Sequence, residues 1–561
     1  MVQLNIKHRL RSRFIDGLRM KDIGDYDKTS LINEDLRPVP LEERVWKWQT
    51  FASWWISESW GASTWAVGSS LVAGGLLWWQ AFLAVLVGHG IASGITVWNG
   101  RSGATYHINF PTMIRATFGI RGAYFPVFVR VVLDLVWFAV QSYFGGQFLD
   151  IMFQCIFGHS WRNIHNSLPK SSGTTTREMA AYALFWTFQL IVTFFRPHEM
   201  KPLFYFKAIT MPIAMFGLFI WCLVRSGGPG TIALSESASS SSVLGWTFMA
   251  AMNSAINGEF GPLIASEPDI TRYARRNRDQ VIGQLLVAPW SATVVALLGI
   301  VAAACTQRIY GEAYWEPALI LDQILVEDNS PKTKFAVFLC SCTFVIGLMG
   351  TNYVSNILPF GVDATIMAPR HLNFIRAAVL CAFVGGWALV PWEIMTSGSS
   401  FLTAITGIGI FMSTLVGIML SDYFFVRKGN YWVSDMYTTN PNGRYWYTGG
   451  FHWRAYAAYV CGIALPFPGF LGSLGVKGVK DVTGPAYHIY DIGYLTAFVV
   501  AMTVYTTICK ISPPPNVAEA RALPFEYQAG EVDNVVFEGQ DVGVSEDFEK
   551  DLTKEDVETK A

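Results

Sequence analysis

Four side chains that suit a flat, polar ring occur as two pairs within apolar stretches of the sequence. Trp137 lies four residues before Gln141, and Asn352 lies four residues before Asn356. This spacing puts both members of a pair on one face of a helix. An indole is a flat stacking surface, and a carboxamide presents a donor beside an acceptor. The pairs predict binding of a planar ring with adjacent N–H and C=O groups, and bridging between helices is the alternative role of each amide.

Two apolar stretches carry a carboxylate next to residues that weaken a helix. Glu58 lies among hydroxyl side chains in segment 54–64, and Glu259 lies between two glycines, ahead of a proline, in segment 253–262. A carboxylate at mid-membrane costs about 2.5–3.5 kcal/mol on insertion scales, which indicates a use. We expect both segments to be partly unwound and to face protein or a water-lined cavity. The alternative is structural, with glycines that serve helix packing and a paired Glu58.

The composition indicates the solvent in which these stretches lie. Of 561 residues, 52% are hydrophobic and 15% are charged, whereas a soluble domain typically has about 25% charged residues. The net charge of −1 gives no basic field for nucleic acid. We therefore expect an all-α integral membrane protein that is surrounded by lipid and has no nucleic-acid partner.

Twelve runs are long enough to cross a bilayer, which needs about 20 apolar residues per helix. They lie near 51–77, 81–98, 124–153, 180–195, 203–224, 245–265, 283–305, 335–358, 374–391, 399–425, 455–474 and 487–509. The interrupted segments fall in spans one and six, and the two ligand pairs fall in spans three and eight. A five-plus-five inverted repeat of a secondary transporter relates these spans to each other, and its broken helices lie at the binding site.

The distribution of Arg and Lys predicts the orientation. The loops at one side, which hold most of these residues, are 99–122, 196–202, 267–281, 360–373 and 426–454. This bias predicts that both termini are cytoplasmic. The arginines between Arg272 and Arg278 are interpreted as a topology anchor rather than as a patch for nucleic acid or lipid.

The span pattern divides the chain into four parts. They are a cytoplasmic N-terminal segment at 1–50, a ten-helix transport core at 51–425, two further helices with their preceding loop at 426–510, and an acidic cytoplasmic tail at 511–561. The tail is poor in apolar residues and is expected to be disordered. Its lysines Lys550, Lys554 and Lys560 are candidates for ubiquitin-type modification in turnover, and ordinary solvated lysines are the alternative.

The sequence does not have the residues of an enzyme. The nine His residues are scattered, no Ser lies in a Gly-x-Ser-x-Gly turn, and the eight Cys residues fall mostly in apolar runs. Such cysteines behave as small hydrophobic residues. We expect no catalytic residues, no metal and no cofactor.

Five motifs occur in order along the chain. They are Asn33–Pro40 followed by Arg44–Trp46, Trp137 with Gln141, Pro268–Tyr273, Thr351–Asn356, and Ser421–Gly429. Together they resemble the nucleobase–cation symporter-1 family, specifically its fungal uracil, allantoin and uridine permease branch. The similarity spans about residues 30–510.

The resemblance implies twelve transmembrane helices, of which ten form a LeuT-like core with helices 1 and 6 broken. It also implies that the substrate stacks on Trp137 and is hydrogen-bonded by Gln141 and Asn356, with Asn352 in the same motif. The family often has a second stacking aromatic residue in span six, which matches Phe260 here. A Phe should stack more weakly than a Trp because it has less ring surface.

Two departures from the family pattern bear on specificity and coupling. Glu259 precedes Phe260, where relatives tend to have a small or differently charged residue, so its contact is expected to reshape specificity. Sodium-coupled bacterial relatives place adjacent hydroxyls before the first span-eight Asn, whereas this chain has Thr351 after Gly350. An oxygen cage for Na⁺ is therefore incomplete. Proton coupling is favoured, with Glu58 as the carrier and Thr351 at the same coupling site.

The leading hypothesis is proton-coupled uptake of a uracil-, allantoin- or uridine-like compound across the plasma membrane by alternating access. A thiamine-type permease is the runner-up, because that branch resembles span one and the segment Tyr310–Glu312. Trp137 and Gln141 weigh against it, since that branch need not keep the pair. A non-transporting nutrient receptor on the same scaffold is the third hypothesis, and it would bind without accumulating its ligand.

Overall fold

The computed structural model of the chain describes residues 36–195, 197–228, 241–368, 371–475 and 482–534, together with Leu18 and Leu31. Within these residues every regular element is a helix, which confirms the prediction of an all-α protein. The first span consists of two helices, α1 (Trp48–Ser59) and α2 (Ala62–Ala73). Between them, Trp60 and Gly61 leave the helical conformation, with ψ angles of 77° and 158°.

The chain continues through seventeen further α-helices of six residues or more within the described ranges. In order, they are α3 (Trp78–Tyr106), α4 (Phe110–Phe118), α5 (Tyr124–Phe157), α6 (Thr176–Val192), α7 (Lys201–Arg225), α8 (Ser241–Ala255), α9 (Gly261–Thr271), α10 (Asp279–Tyr310), α11 (Pro317–Glu327), α12 (Pro331–Met367), α13 (Phe374–Trp387), α14 (Gly398–Val426), α15 (Trp453–Ala464), α16 (Phe467–Ser473), α17 (Gly484–Asp491), α18 (Gly493–Ile511) and α19 (Val517–Ala522).

Span six is widened rather than unwound. A π-helical turn at Ile256–Phe260 joins α8 to α9, so the backbone stays helical throughout. A π turn inserts extra backbone into the helix, and this accommodates the proline in the first turn of α9, which cannot donate a backbone N–H. The prediction of an unwound stretch in span six is therefore wrong. A similar π turn, Tyr353–Ile357, lies within α12.

Length and hydropathy identify seven helices of the described residues that can cross a membrane: α3, α5, α7, α10, α12, α14 and α18. The pair α15 and α16, bent by 47°, makes an eighth. The other predicted spans correspond to helices that are shorter or interrupted, such as α13 with 14 residues. The chain is thus a multi-pass membrane protein, while the total of twelve spans stays a prediction.

Two helix pairs pack in a way that an inverted repeat requires. The second half of span one, α2, lies along α10 of span seven, and the second half of span six, α9, lies along α3 of span two. Exchanging the two halves of the repeat converts one pair into the other. Both pairs approach closely at glycine, because a Cβ at Gly299 would overlap the Trp65 backbone and a Cβ at Gly103 would overlap Pro268.

The first part of the acidic tail packs on the helix ends, which corrects the expectation of disorder from residue 511 onward. The Arg454 side chain donates to the carbonyl oxygen of Ser512 at 2.6 Å. The Asn430 amide donates to the carbonyl oxygens of Ala520 and Pro524 at 3.1 and 2.9 Å. These bonds offset the ordering entropy that composition alone left uncompensated. Residues 535–561, with the three tail lysines, lie outside the described ranges.

Candidate functional site

The break in span one lies against the two helices that carry the ligand pairs. Ser63, in the first turn of α2, accepts a hydrogen bond from Gln141 Nε2 of α5 at 3.1 Å. On α12, Thr351 Oγ1 lies 3.9 Å from the position that a Cβ on Gly61 would occupy. The interrupted segment, α5 and α12 therefore meet at one place, which we call the central chamber.

Gln141 brings an unused acceptor to the central chamber. Its side chain is buried, and its Oε1 has no hydrogen-bond partner among the described residues. A buried acceptor that lacks a partner costs about 1–3 kcal/mol. An N–H group of a bound molecule would recover that free energy.

Trp137 lies one turn before Gln141 on α5 and supplies the aromatic wall. Its ring meets Phe401 of α14 edge to face, with centroids 6.4 Å apart at an interplanar angle of 87°. Phe401 in turn stacks on Trp315, at 5.5 Å and 26°. The indole is thus held by a packed aromatic cluster, next to an amide with a free acceptor.

The two asparagines of α12 have different surroundings. Asn352 donates to Ser142 Oγ of α5 at 3.0 Å, and its Oδ1 accepts a hydrogen bond of 2.8 Å from Asn356 Nδ2. Both ends of the Asn352 amide are therefore engaged by protein. This arrangement bridges α5 and α12 and orients the Asn356 amide, which lies within the π turn of α12.

Phe260 is stacked on another aromatic residue of the protein. Its ring lies 5.1 Å from that of Trp55 at an angle of 27°, and 5.3 Å from the His89 ring. It is fully buried at the end of the π turn of span six. The residue that the resemblance implies as a second stacking surface for the substrate is thus engaged with Trp55 on α1. Glu259 belongs to the same turn, but its side chain is outside the described part of the chain.

A carboxyl, a hydroxyl and an ammonium join three helices beside the central chamber. The Ser355 hydroxyl of α12 donates to Glu58 Oε1, near the end of α1. Lys207 of α7 is 1% exposed, and its ammonium lies close enough to attract the Glu58 carboxylate. The lysine stem passes Gly350, where an added Cβ would be 3.8 Å from Lys207 Cδ. The sequence reasoning missed Lys207, although a lysine inside an apolar span was a usable signal.

A second buried polar cluster connects α5, α9 and α12, and we call it the ionic cluster. The Arg130 guanidinium pairs with Asp269 at 2.6 Å and also with Asp363. Asp269 accepts a further hydrogen bond from the backbone N–H of Phe110 at 2.7 Å. Asp269 lies in the Pro-Asp motif, whereas Arg130 and Asp363 were not singled out from the sequence. Arg130 lies in a predicted apolar span, as Lys207 does, whereas Asp363 lies in the predicted loop 360–373.

Metal-ligating side chains do not gather in this part of the protein. Among the residues that the structure describes, no group of three His, Cys, Asp or Glu side chains is arranged to hold a metal ion. The polar groups of the central chamber are amides and hydroxyls next to an indole. Such groups bind an uncharged polar ring by hydrogen bonds and stacking.

Comparisons with known proteins agree with this arrangement. The sequence matches, over residues 38–495, a family described as permease for cytosine/purines, uracil, thiamine, allantoin. The chain is similar to the allantoin permease of Saccharomyces cerevisiae, with 33% identity over 87% of this chain and 76% of the relative. It is also similar to the uridine permease of the same organism, with 34% identity over 84% of this chain and 74% of the relative.

A solved structure shares the fold. Mhp1, a nucleobase-cation-symport-1 family transporter in a closed conformation with bromovinylhydantoin bound, aligns with a TM-score of 0.68 and 19% identity, covering 90% of this chain and 100% of Mhp1. This similarity confirms the LeuT-like fold class of the prediction. The family match extends over most of the chain, and the matched proteins are permeases rather than enzymes. The chain therefore belongs to the nucleobase–cation symporter family and is a multi-pass transporter of nucleobase-related compounds.

Proposed function

We propose that this transporter carries out proton-coupled uptake of a uracil-, allantoin- or uridine-like compound by alternating access. We place it in the plasma membrane with both termini in the cytoplasm. The observation that carries the proposal is the unpaired Gln141 Oε1, one helical turn from the Trp137 indole and beside the break in span one. The uridine and allantoin permeases among its relatives support this class of compound.

Recognition of the ring rests on the carboxamide of Gln141. Its Oε1 accepts a ring N–H, and the second hydrogen of Nε2, beyond the one given to Ser63, donates to the adjacent ring carbonyl. The ring plane stacks on Trp137. Asn356 supplies a third polar contact and is oriented by Asn352. A ring that lacks adjacent N–H and C=O groups leaves these buried amides unpaired and is rejected for that reason.

Coupling to protons rests on Glu58 and Lys207. When Glu58 is ionised, it attracts the buried Lys207 ammonium and links α1 to α7. A proton on Glu58 removes that attraction and frees α1 to move relative to α7. The Lys207 ammonium, which lies near Glu58, also disfavours a sodium ion beside that carboxylate, since like charges repel. The coupling ion that fits these groups is a proton.

The direct test is uptake of labelled uracil, allantoin and uridine by cells that lack their own carriers, at pH 5 and pH 7.5. We expect accumulation of at least one compound, faster at pH 5, and loss of accumulation in Gln141→Ala. Gln189→Ala is the matched control, because Gln189 is equally buried with an unpaired Oε1 but lies on α6. Absence of uptake of all three compounds at pH 5 would refute the proposal.

Two competing functions give different results in the same cells. The family description includes thiamine, and a thiamine-type carrier would be inhibited by excess thiamine, whereas we expect no inhibition. A non-transporting receptor would bind the compound without accumulating it against a gradient. Saturable binding with no accumulation in the wild-type protein would therefore favour the receptor.

A further inference from the structure

A cavity of about 750 Å³ lies away from the central chamber, between helix ends. Its walls come from the last part of α3, the loop between α9 and α10, the end of α14 and the C-terminal segment. The residues that matter for its chemistry are Trp98, Arg101, Arg276, Arg278, Phe424 and Phe525. The cavity thus combines three guanidinium groups with three aromatic rings. Its volume lies in the range of about 300–1,000 Å³ that is typical of ligand pockets.

The cavity lies at the edge of the surface that faces lipid. Trp98 is 57% exposed on α3, and Leu286 is 62% exposed two turns into α10. Large apolar side chains exposed on membrane helices face the hydrocarbon, and exposed Trp marks the headgroup layer. The arginines on the α9–α10 loop follow directly beyond this apolar surface. A molecule in the cavity therefore has charged groups on one side and an apolar helix surface on the other.

Two carboxylates of the described residues are bonded to segments that line the cavity. Glu526 of the C-terminal segment pairs with Arg101 through two hydrogen bonds of 2.6 and 2.8 Å. The Asp279 carboxylate accepts the backbone N–H of Arg276 at 3.0 Å. The lining itself, among the described residues, contributes three guanidinium groups and no carboxylate. The first turn of α10 also lines the cavity, and the start of a long helix adds positive potential.

We propose that this cavity binds the headgroup of an anionic glycerophospholipid. The phosphate lies between Arg276 and Arg278, because guanidinium groups form paired hydrogen bonds with phosphate oxygens. The acyl chains run along the exposed apolar surface of α3 and α10, next to Trp98. A membrane lipid fits better than a soluble phosphate ester, because Trp98 both lines the cavity and is exposed on the apolar surface of α3. The arginines that the sequence predicted as a topology anchor thus also form a binding site.

The test titrates the purified full chain in detergent with phosphatidylinositol and, separately, with phosphatidylcholine of the same acyl chains, and counts bound lipid by native mass spectrometry. We expect wild-type protein to prefer phosphatidylinositol and the double variant Arg276→Gln/Arg278→Gln to bind it about 30-fold more weakly. Arg276→Lys/Arg278→Lys keeps the charge and should retain most of the affinity. Arg308→Gln removes one exposed arginine at the opposite end of α10 and should bind as wild type does.

Four results would overturn the proposal. Equal binding of both lipids by the wild type, or unchanged phosphatidylinositol binding in the double variant, would show that the cavity does not select an anionic lipid. Equal affinity for glycerophosphoinositol, which lacks acyl chains, would assign the cavity to a soluble phosphate ester. If the double variant fails to fold, Arg278→Gln alone should weaken phosphatidylinositol binding about fivefold, and an unchanged affinity there would count against the proposal.

Discussion

The central chamber and the ionic cluster are both buried and polar, but they differ in how their groups are paired. In the ionic cluster, the Arg130 guanidinium faces two carboxylates, Asp269 and Asp363, from two other helices. In the central chamber, Gln141 gives one hydrogen bond to Ser63 and keeps an acceptor without a partner. The first region holds helices together by charge. The second contains capacity for hydrogen bonding that a substrate would use.

The comparison separates stability from transport. Removing a partner from the ionic cluster leaves a buried charge alone, which costs far more than the pair itself contributes. Removing a side chain whose hydrogen bonds form mainly with the ligand costs little stability in the ligand-free protein, because few of those bonds are present there. Variants of the two regions should therefore divide cleanly into those that unfold and those that fold but do not transport.

The largest effect is expected for Arg130→Ala. Without the guanidinium, Asp269 and Asp363 face each other in a buried place, and the variant should lose about 3–5 kcal/mol of stability. Thermal unfolding of the detergent-solubilised protein measures this loss. Arg308→Ala, at an exposed position near the end of α10, is the control and should unfold as the wild type does. An unfolding temperature of Arg130→Ala equal to that of the wild type would contradict the role of the ionic cluster.

Gln141→Ala should give the second largest effect, and this effect concerns transport rather than stability. Uptake should fall about 10- to 100-fold, because loss of a hydrogen bond to a ligand in a buried site costs about 1–3 kcal/mol. Thermal stability should change little. Uptake rates and unfolding temperature, measured on the same preparation, show whether the two properties separate. A variant that unfolds early and loses uptake in proportion would make Gln141 a structural residue.

The sequence predicted the parts of the chamber that depend on short-range spacing. Trp137 and Gln141 share a helical face whatever surrounds α5, and the small and polar residues around Gly61 coincide with the observed break in span one. A glycine-rich segment with a proline was not enough to tell an unwound stretch from a π turn in span six. The difference depends on how neighbouring helices take up the extra backbone.

Contacts between distant segments of the chain could not be predicted from the sequence. Phe260 stacks on Trp55, about two hundred residues earlier in the chain, and neither spacing nor composition reports such a pairing. Lys207 and Arg130 lie in apolar runs, and the mean hydropathy of such a run does not single out one charged residue. The prediction for the tail rests on its overall composition, which does not indicate that Glu526 pairs with Arg101. In each case the missing information was the identity of the partner.

A smaller effect, on the pH dependence of uptake, is expected for Glu58→Gln. The amide side chain stays neutral at both pH values, so it neither takes up nor releases a proton and has no charge to attract Lys207. Uptake that is faster at pH 5 than at pH 7.5 in the wild type should become nearly independent of pH in the variant. Rates at both pH values, with Glu43→Gln as an exposed carboxyl control, measure the change. If the variant keeps the wild-type pH profile, another group carries the proton.

The smallest effect concerns Glu316, whose carboxyl group has a hydrogen-bond partner at only one of its two oxygens. It follows Trp315 in the connection between α10 and α11, and its Oε2 accepts a hydrogen bond from Gln147 at 2.7 Å while its Oε1 has no partner. Burial raises the pKa of Glu316 to about 8. Because this folded-state value exceeds the unfolded value of 4.5, the proton stabilises the fold at low pH, and that stability is lost progressively as the pH rises from about 4.5 to about 8.

Thermal unfolding between pH 6 and pH 9.5 tests this property of Glu316. The wild type should lose up to about 1.4 kcal/mol per pH unit between pH 6 and pH 8 from this one proton, and nothing further from it above pH 8. Glu316→Gln stays neutral and keeps a polar group beside Gln147, so the loss should be absent or much reduced. Parallel curves for the two proteins across the whole range would mean that Glu316 is already ionised in the fold. The Oε1 atom of Glu316 would then have to accept hydrogen bonds from water.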